Sequence, residues 1–150
     1  MIGEVLAVNV SEKRGEKKKT VEEINLRAGH GIEEDAHAGE WHRQVSLLSL
    51  SSFEKMRKLG ADVIYGDFAE NISVAGIDVF KLPLGTKMRV GEALLEVTQI
   101  GKTCHDMGCA IKKQVGTCVM PHEGIFTRVL ESGRVKTGDT VEVLTGDDFI

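Results

Sequence analysis

The sequence predicts a mainly β fold, a closed or nearly closed β-barrel with short helical insertions, formed by residues 1–150 as a single domain. Three observations carry this expectation. Short runs rich in Val, Ile and Leu recur at roughly ten-residue spacing, as strands of a sandwich or barrel do. Seventeen Gly and only two Pro are spread between them, implying many tight turns. A chain of 150 residues, 41% of them hydrophobic, is long enough to bury one self-sufficient core. Closure is expected because so many short strands would otherwise leave unpaired edges.

Taken in order, Ile2 to Val10 alternates, with Val8 and Val10 on one face and Ala7 and Asn9 on the other, and reads as a strand. SEKRGEKKK follows, where Lys13, Arg14, Lys17, Lys18 and Lys19 surround Gly15. Such a charge run reads as a solvated hairpin tip, with anion or partner contact as the competing use. A second strand is expected from Val21 to Leu26. GHGIEEDAHAGEWHRQ then has too little apolar periodicity for a helix and too many polar groups for a core strand, so a long, ligand-facing loop is expected. Gln44 to Leu48 is strand-like. Ser51 with Glu54 three residues on forms a capping-box signature ahead of FEKMRKL, predicting a short helix over about Ser52 to Leu59 closed by Gly60.

Beyond the helix, Gly66 to Ile72 reads as a polar turn leading into ISVAGIDV. Met88 and Val90 share one side of a short strand between Gly85 and Gly91, and Ala93 to Ile100 is expected as a buried strand. After Pro121, EGIFTRVLESG pairs Ile125 with Val129 and Phe126 with Leu130 at spacing four, which predicts a second helix with Gly133 as its C-terminal cap. A turn at Gly138 and Asp139 and a closing strand in TVEVL complete the chain.

Several function classes are disfavoured. No run approaches the roughly 18 apolar residues that a membrane span needs, and MIGEVLAVNVSEK lacks the order of a signal peptide, so a soluble, cytoplasmic protein is expected. A net charge of −4 argues against general nucleic-acid binding. Cys104, Cys109 and Cys118 all fall within one short stretch, an odd number without an export signal, which points to chemistry rather than to a disulfide framework.

Three constellations can carry that chemistry. Cys104 and Cys118 follow Gly-containing steps where the backbone can pass close to a ligand, and Lys102, His105, His122 and the helix start near Pro121 are candidates for favouring the thiolate. Cys109, followed by Ala110 and Ile111, reads instead as a small core residue. Cys104, Cys109, Cys118 and His122 also form a possible tetrahedral zinc set, though their spacing lacks the two tight pairs of a zinc ribbon. The second constellation is Asp35, His37, His42 and Arg43, in which Arg43 offers a planar fork suited to phosphate or carboxylate. His30, His37 and His42 can equally be surface residues of the loop. The third is Asp67, Glu70 and Asn71 after Gly66, able to bond a heterocycle or to hold a loop.

Across GIEEDAHAGEWHRQVSLLS, then GDFAENISVAGIDVFKLPLGTKMRVGEALLEVTQIGKTCH, then GTCVMPHEGIFTRVLESGRVKTGDTVEVL, the chain resembles the MOSC domain, named for the C-terminal domain of molybdenum cofactor sulfurases. The resemblance implies a β-barrel of the pyruvate-kinase-barrel-like type that binds molybdenum cofactor (molybdopterin) or carries sulfur. It also implies cofactor-binding roles for His37, Gly39, Arg43, Glu70 and Asn71, with His42 beside Arg43 as a further candidate for the cofactor's phosphate. Cys104 or Cys118 would be the working cysteine, and Cys118 resembles the one that ligates molybdenum in amidoxime-reducing relatives. A partner is implied as well, either a cysteine desulfurase dependent on pyridoxal phosphate or a molybdoenzyme. The activity would be sulfur transfer or a molybdenum-dependent reaction. A non-catalytic cofactor delivery module and a zinc-stabilised interaction domain are the alternatives. Glu34 and Ala69 depart from the pattern, standing where the family often has Gly.

Overall fold

The computed structural model describes residues 1–13, 16–101 and 120–144. Among these, the strands are β1 (Ile2–Val10), β2 (Lys19–Val21), β3 (Glu23–Arg27), β4 (Gly31–Ile32), β5 (Val45–Ser49), β6 (Ile72–Ala75), β7 (Lys87–Val90), β8 (Ala93–Ile100), β9 (Ile125–Glu131), β10 (Gly133–Lys136) and β11 (Thr140–Leu144). The helices are α1 (Leu50–Lys58) and a single turn, α2 (Met120–Glu123), with a 3-10 turn at Val79–Lys81.

The barrel is mainly β and closed, as the short, turn-rich strands predict. Its order is β11-β7-β8-β9-β5-β6-β1, and β1 pairs back onto β11, so seven strands complete the ring. Closure depends on the length of β1. Its first residues pair with β11 (Gly3 with Val141), its middle with β6 (Val5 with Val74), and its end with β2 (Asn9 with Thr20). β3, β4 and β10 form a separate small sheet.

The barrel interior is filled by Val5, Val8, Leu47, Ile72, Val74, Met88, Val90, Leu95, Val97, Ile125 and Val129, among others. A second apolar cluster lies where α1 covers the outside of β5 and β9, joining Leu48, Phe53, Met56, Ala61, Val63, Phe68 and Phe126. β5 is therefore buried along its whole length, which explains its near-continuous apolar sequence. Each buried Leu, Ile or Phe contributes about 1.5–3 kcal/mol from apolar surface removed from water.

Two sequence expectations are corrected. The predicted second helix at EGIFTRVLESG is a strand, β9, and Gly133, predicted as its cap, begins β10. A spacing of four is two strand periods as well as about one helical turn. Ile125 and Val129 thus share the barrel-facing side with Thr127, while Phe126 packs into the second cluster. The β-branched Ile, Thr and Val also favour the pleated form. The capping box is likewise absent: Ser49 stands at the N-cap position ahead of α1, with no side-chain cap. Its hydroxyl instead donates to the carbonyl of Ile77 at 2.7 Å and accepts the Val79 N–H at 2.9 Å, and Ser51 donates to Asp78 at 2.6 Å.

Glu34 and Ala69 are the non-glycine residues with left-handed backbone among those described, at φ of 69° and 63°. They are also the two positions at which the resemblance leads Gly to be expected. A side chain there costs roughly 1–2 kcal/mol in this region of backbone space. Ala69→Gly is expected to stabilise the protein by up to about 1 kcal/mol, the flexibility of Gly in the unfolded chain offsetting part of the gain. Thermal and urea unfolding measure this directly.

Candidate functional site

The loop between β4 and β5 is tied near both ends by side-chain contacts to other elements. At its start, Asp35 and Lys18 form an ion pair at 2.9 Å with both side chains 0% exposed. Asp35 Oδ1 also accepts the Ser11 N–H at 3.0 Å, and Oδ2 accepts the His37 N–H at 3.0 Å. Burial pushes the Asp35 carboxyl up, but hydrogen bonds from His37, Lys18 and Ser11 and the charge of Lys18 outweigh it and hold the group well below the ordinary carboxylate range. At its far end, Gln44 donates to the carbonyl of Gly39 at 3.0 Å and accepts the Val129 N–H at 2.9 Å.

Lys18 therefore corrects the reading of the basic run as a wholly solvated tip. Its neighbours Lys17 and Lys19 are exposed, but Lys18 turns inward to serve the Asp35 loop.

Between the anchors, the Trp41 indole donates to the carbonyl of His37 at 2.7 Å. The Arg43 guanidinium lies 5.2 Å from the Phe126 ring centre and 6.0 Å from that of Trp41. Arg43 Nε donates to Gln99 Oε1 at 3.1 Å, and His42 Nε2 donates to the same oxygen at 2.8 Å. The carbonyl is an acceptor, so both ring and guanidine nitrogens carry hydrogens towards it. Neither terminal nitrogen of Arg43 has a hydrogen-bond partner among the described residues. A fork held at Nε and backed by aromatic rings, with its two terminal N–H groups uncommitted, is suited to an oxyanion.

Gln99 was not singled out in the sequence. It follows an irregularity in the β8–β9 register between Val97 and Gln99, which re-aims its side chain. Its amide donates to the carbonyl of Gly101 at 2.8 Å, and the Gly101 N–H donates to the carbonyl of Gly124 at 2.6 Å. Gly101 and Gly124, which come before and after the stretch that carries the cysteines, are thus hydrogen-bonded to one another beside Gln99. Cys104, Cys109 and Cys118, with Lys102 and His105, lie outside the described residues. Among the described residues no group of three or more His, Cys, Asp and Glu could hold a metal ion.

The third constellation has a different place. Glu70 and Asn71 are fully buried, with their polar atoms directed inward. Glu70 accepts the Gly66 N–H at 2.8 Å, the Ser73 hydroxyl at 2.8 Å and the Phe68 N–H at 3.2 Å. Asn71 accepts the Ser46 N–H at 2.9 Å and donates to the carbonyl of Asn9 at 3.1 Å. These are loop-holding contacts. They reach the second constellation through Gly66, where a Cβ would stand 2.2 Å from the Lys18 carbonyl oxygen, and whose own carbonyl accepts the Lys18 N–H at 2.9 Å. Only a glycine, here at φ of 94°, lets the two loops approach so closely.

Burial pushes the Glu70 carboxyl up to about 7 from 4.5, opposed by the donors of Gly66, Ser73 and Phe68. The native state then holds this proton more firmly than the unfolded chain does. Stability from this group is complete below about pH 4.5 and declines as pH rises to about 7. Glu70→Gln is expected to remove that slope. It should also cost about 1–3 kcal/mol, because an amide cannot accept all three donors. Unfolding curves at a series of pH values measure both effects.

The MOSC domain family matches residues 34–142. The chain belongs to the MOSC domain family. Membership identifies it, in general terms, as a domain related to the molybdenum cofactor. This MOSC chain superposes on the YuaD protein of Bacillus subtilis with a TM-score of 0.80 at 20% identity, covering 95% of this chain and 96% of the other. It superposes on YiiM of Geobacillus stearothermophilus with a TM-score of 0.70 at 19% identity, over 95% and 75% of the two chains. At such identities the likeness is one of fold. YflK of Bacillus subtilis (strain 168) is 32% identical over 81 residues, 52% of this chain and 37% of that relative, so this MOSC chain matches little more than a third of its length. No helix among the described residues is long and apolar enough to cross a membrane.

Proposed function

We propose that the site binds the molybdenum cofactor, with Arg43 receiving its terminal phosphate and Cys118 or Cys104 ligating molybdenum or carrying persulfide sulfur to it. The single observation that carries this reading is the Arg43 fork, fixed by Gln99 and Phe126 with both terminal nitrogens uncommitted among the described residues. The donor set fits an anionic, phosphate-bearing group, since among the described residues it offers N–H groups and no carboxylate against the guanidinium. The meeting of Gly101 and Gly124 beside Gln99 supports a role for the cysteine-bearing stretch at the same place.

In this reading Arg43 binds and orients the phosphate, His42 and Gln99 hold the fork in direction, and the Gly39 turn leaves room for the ligand. Glu70 and Asn71 act at one remove, by shaping the loop that meets Lys18. The bound group would supply a dithiolene-held molybdenum, to which a soft thiolate is a suitable further donor. Where sulfur is transferred, a cysteine desulfurase dependent on pyridoxal phosphate is the proposed source, and a molybdoenzyme the proposed recipient.

Arg43→Ala removes a charge-assisted pair of hydrogen bonds worth about 1.5–3 kcal/mol, so cofactor affinity is expected to fall roughly 10- to 100-fold. Arg43→Lys keeps the charge without the fork and should recover only part of this. Titration of the apo-protein with molybdopterin, followed by fluorescence, gives the affinities. Equal affinity in all three proteins counts against the assignment.

A further inference from the structure

Lys18 is the only buried lysine or arginine among the described residues. Among the described residues its Nζ meets Asp35 Oδ1 at 2.9 Å, Ser11 Oγ at 3.0 Å and His37 Nδ1 at 3.0 Å. An ammonium has hydrogens to give and no lone pair to receive with. His37 Nδ1 must therefore accept, which leaves the imidazole neutral with its hydrogen on Nε2.

The competing arrangement would put a hydrogen on Nδ1 and pair it with Asp35. That oxygen is farther away, 3.7 Å from Nδ1, and already accepts the His37 backbone N–H. Lys18 is the nearer group and decides the tautomer.

The other ring nitrogen faces outward. His37 Nε2 has no hydrogen-bond partner among the described residues, and no described side-chain nitrogen or oxygen is both buried and unpartnered, so Nε2 is open to solvent. His37 is joined to the oxyanion corner through Trp41, whose indole bonds its carbonyl and borders Arg43.

We propose that Lys18, held by Asp35, is a positioning residue that fixes His37 as the neutral Nε2–H form, so that His37 offers the ligand at Arg43 one directed donor and no acceptor. This rests on the reading of that site as an anion-binding one. It assigns His37 a specificity role: an acceptor oxygen of the anion is welcomed, and a ligand presenting a donor there is refused. A free neutral histidine could meet either by exchanging tautomers; this one cannot.

Nitrogen-15 NMR of the histidine rings at pH 8 tests this in the intact chain. With His37 assigned by comparison with His37→Gln, the wild-type protein is expected to show a bare, hydrogen-bonded Nδ1 and a protonated Nε2. A hydrogen on Nδ1, or an imidazolium, would overturn the proposal without any variant having to fold. In folded Lys18→Met, the Nδ1 signal is expected to move to that of a free imine nitrogen or to average between tautomers, and an unchanged spectrum would overturn the role of Lys18. Molybdenum content is scored separately. Protein that never takes up the cofactor but shows the fixed tautomer refutes the proposed function and leaves the positioning intact. Uptake that is equal in wild type and His37→Gln refutes the specificity role.

Discussion

Lys18→Met is expected to lose about 3–5 kcal/mol of folding stability, because it leaves the Asp35 carboxylate buried without its counter-charge. The size of the effect follows from the geometry. Both side chains are fully enclosed, at 2.9 Å from one another, and the loop carrying His37 is tied down through them. Asp35→Leu should cost a similar amount for the mirrored reason. The double replacement is expected to be less damaging than either single change, since it removes both desolvated charges together. Urea unfolding of the four proteins yields the coupling, and independence of the two sites would contradict the pairing.

Acid behaviour should follow the same pair. The folded Asp35 carboxyl is depressed, so its contribution is present above the ordinary aspartate value of 3.8 and is lost only as pH falls through the lower folded value. Glu70 acts in the opposite sense and in a separate window, from about pH 4.5 to about 7. In Lys18→Met, burial is left without the opposing charge, and the acid transition is expected to begin at a higher pH.

The second large effect is expected at the cysteines. Cys118→Ala or Cys104→Ala should abolish cofactor retention or persulfide loading. Ala matches the small size of Cys and neither position lies in a strongly apolar run, so the fold is expected to persist. Mass spectrometry of anaerobically prepared protein reads the persulfide as the added mass of one sulfur atom, and elemental analysis reads molybdenum. Each variant is scored on both, so the two measurements also distinguish which cysteine works. Unchanged molybdenum and sulfur in both variants would contradict the proposal.

Much of the barrel is legible in the sequence because period-two alternation and glycine placement act locally. β1 and β8 run as expected from Ile2 to Val10 and from Ala93 to Ile100, and Met88 and Val90 do share the inner face. β9 reads as a helix in the sequence because a spacing of four satisfies both periods, and the outer packing of Phe126 against α1 leaves no local signal. The capping box failed for a tertiary reason, since the contacts to residues 77–79 claim the hydroxyls of Ser49 and Ser51.

The site was legible in part. Arg43 and its histidine neighbour stand out by residue type, but Gln99, 56 residues away from Arg43, looks like any polar strand residue. Lys18 was hidden inside a charge run, and only its fold-imposed closeness to Asp35 and Gly66 distinguishes it from Lys17 and Lys19. For Glu70 and Asn71 the sequence left ligand and loop roles open, and the hydrogen bonds to Gly66, Phe68, Ser73 and Ser46 hold the loop. Residue type carries chemistry; only the fold says which way each group points.

The most direct measurement is the molybdenum content of wild-type protein purified anaerobically from a molybdate-replete host, beside Arg43→Ala prepared in the same way. The account predicts close to one molybdenum per wild-type chain and a marked deficit in the variant. Wild-type protein without molybdenum, or a variant holding just as much, would contradict it.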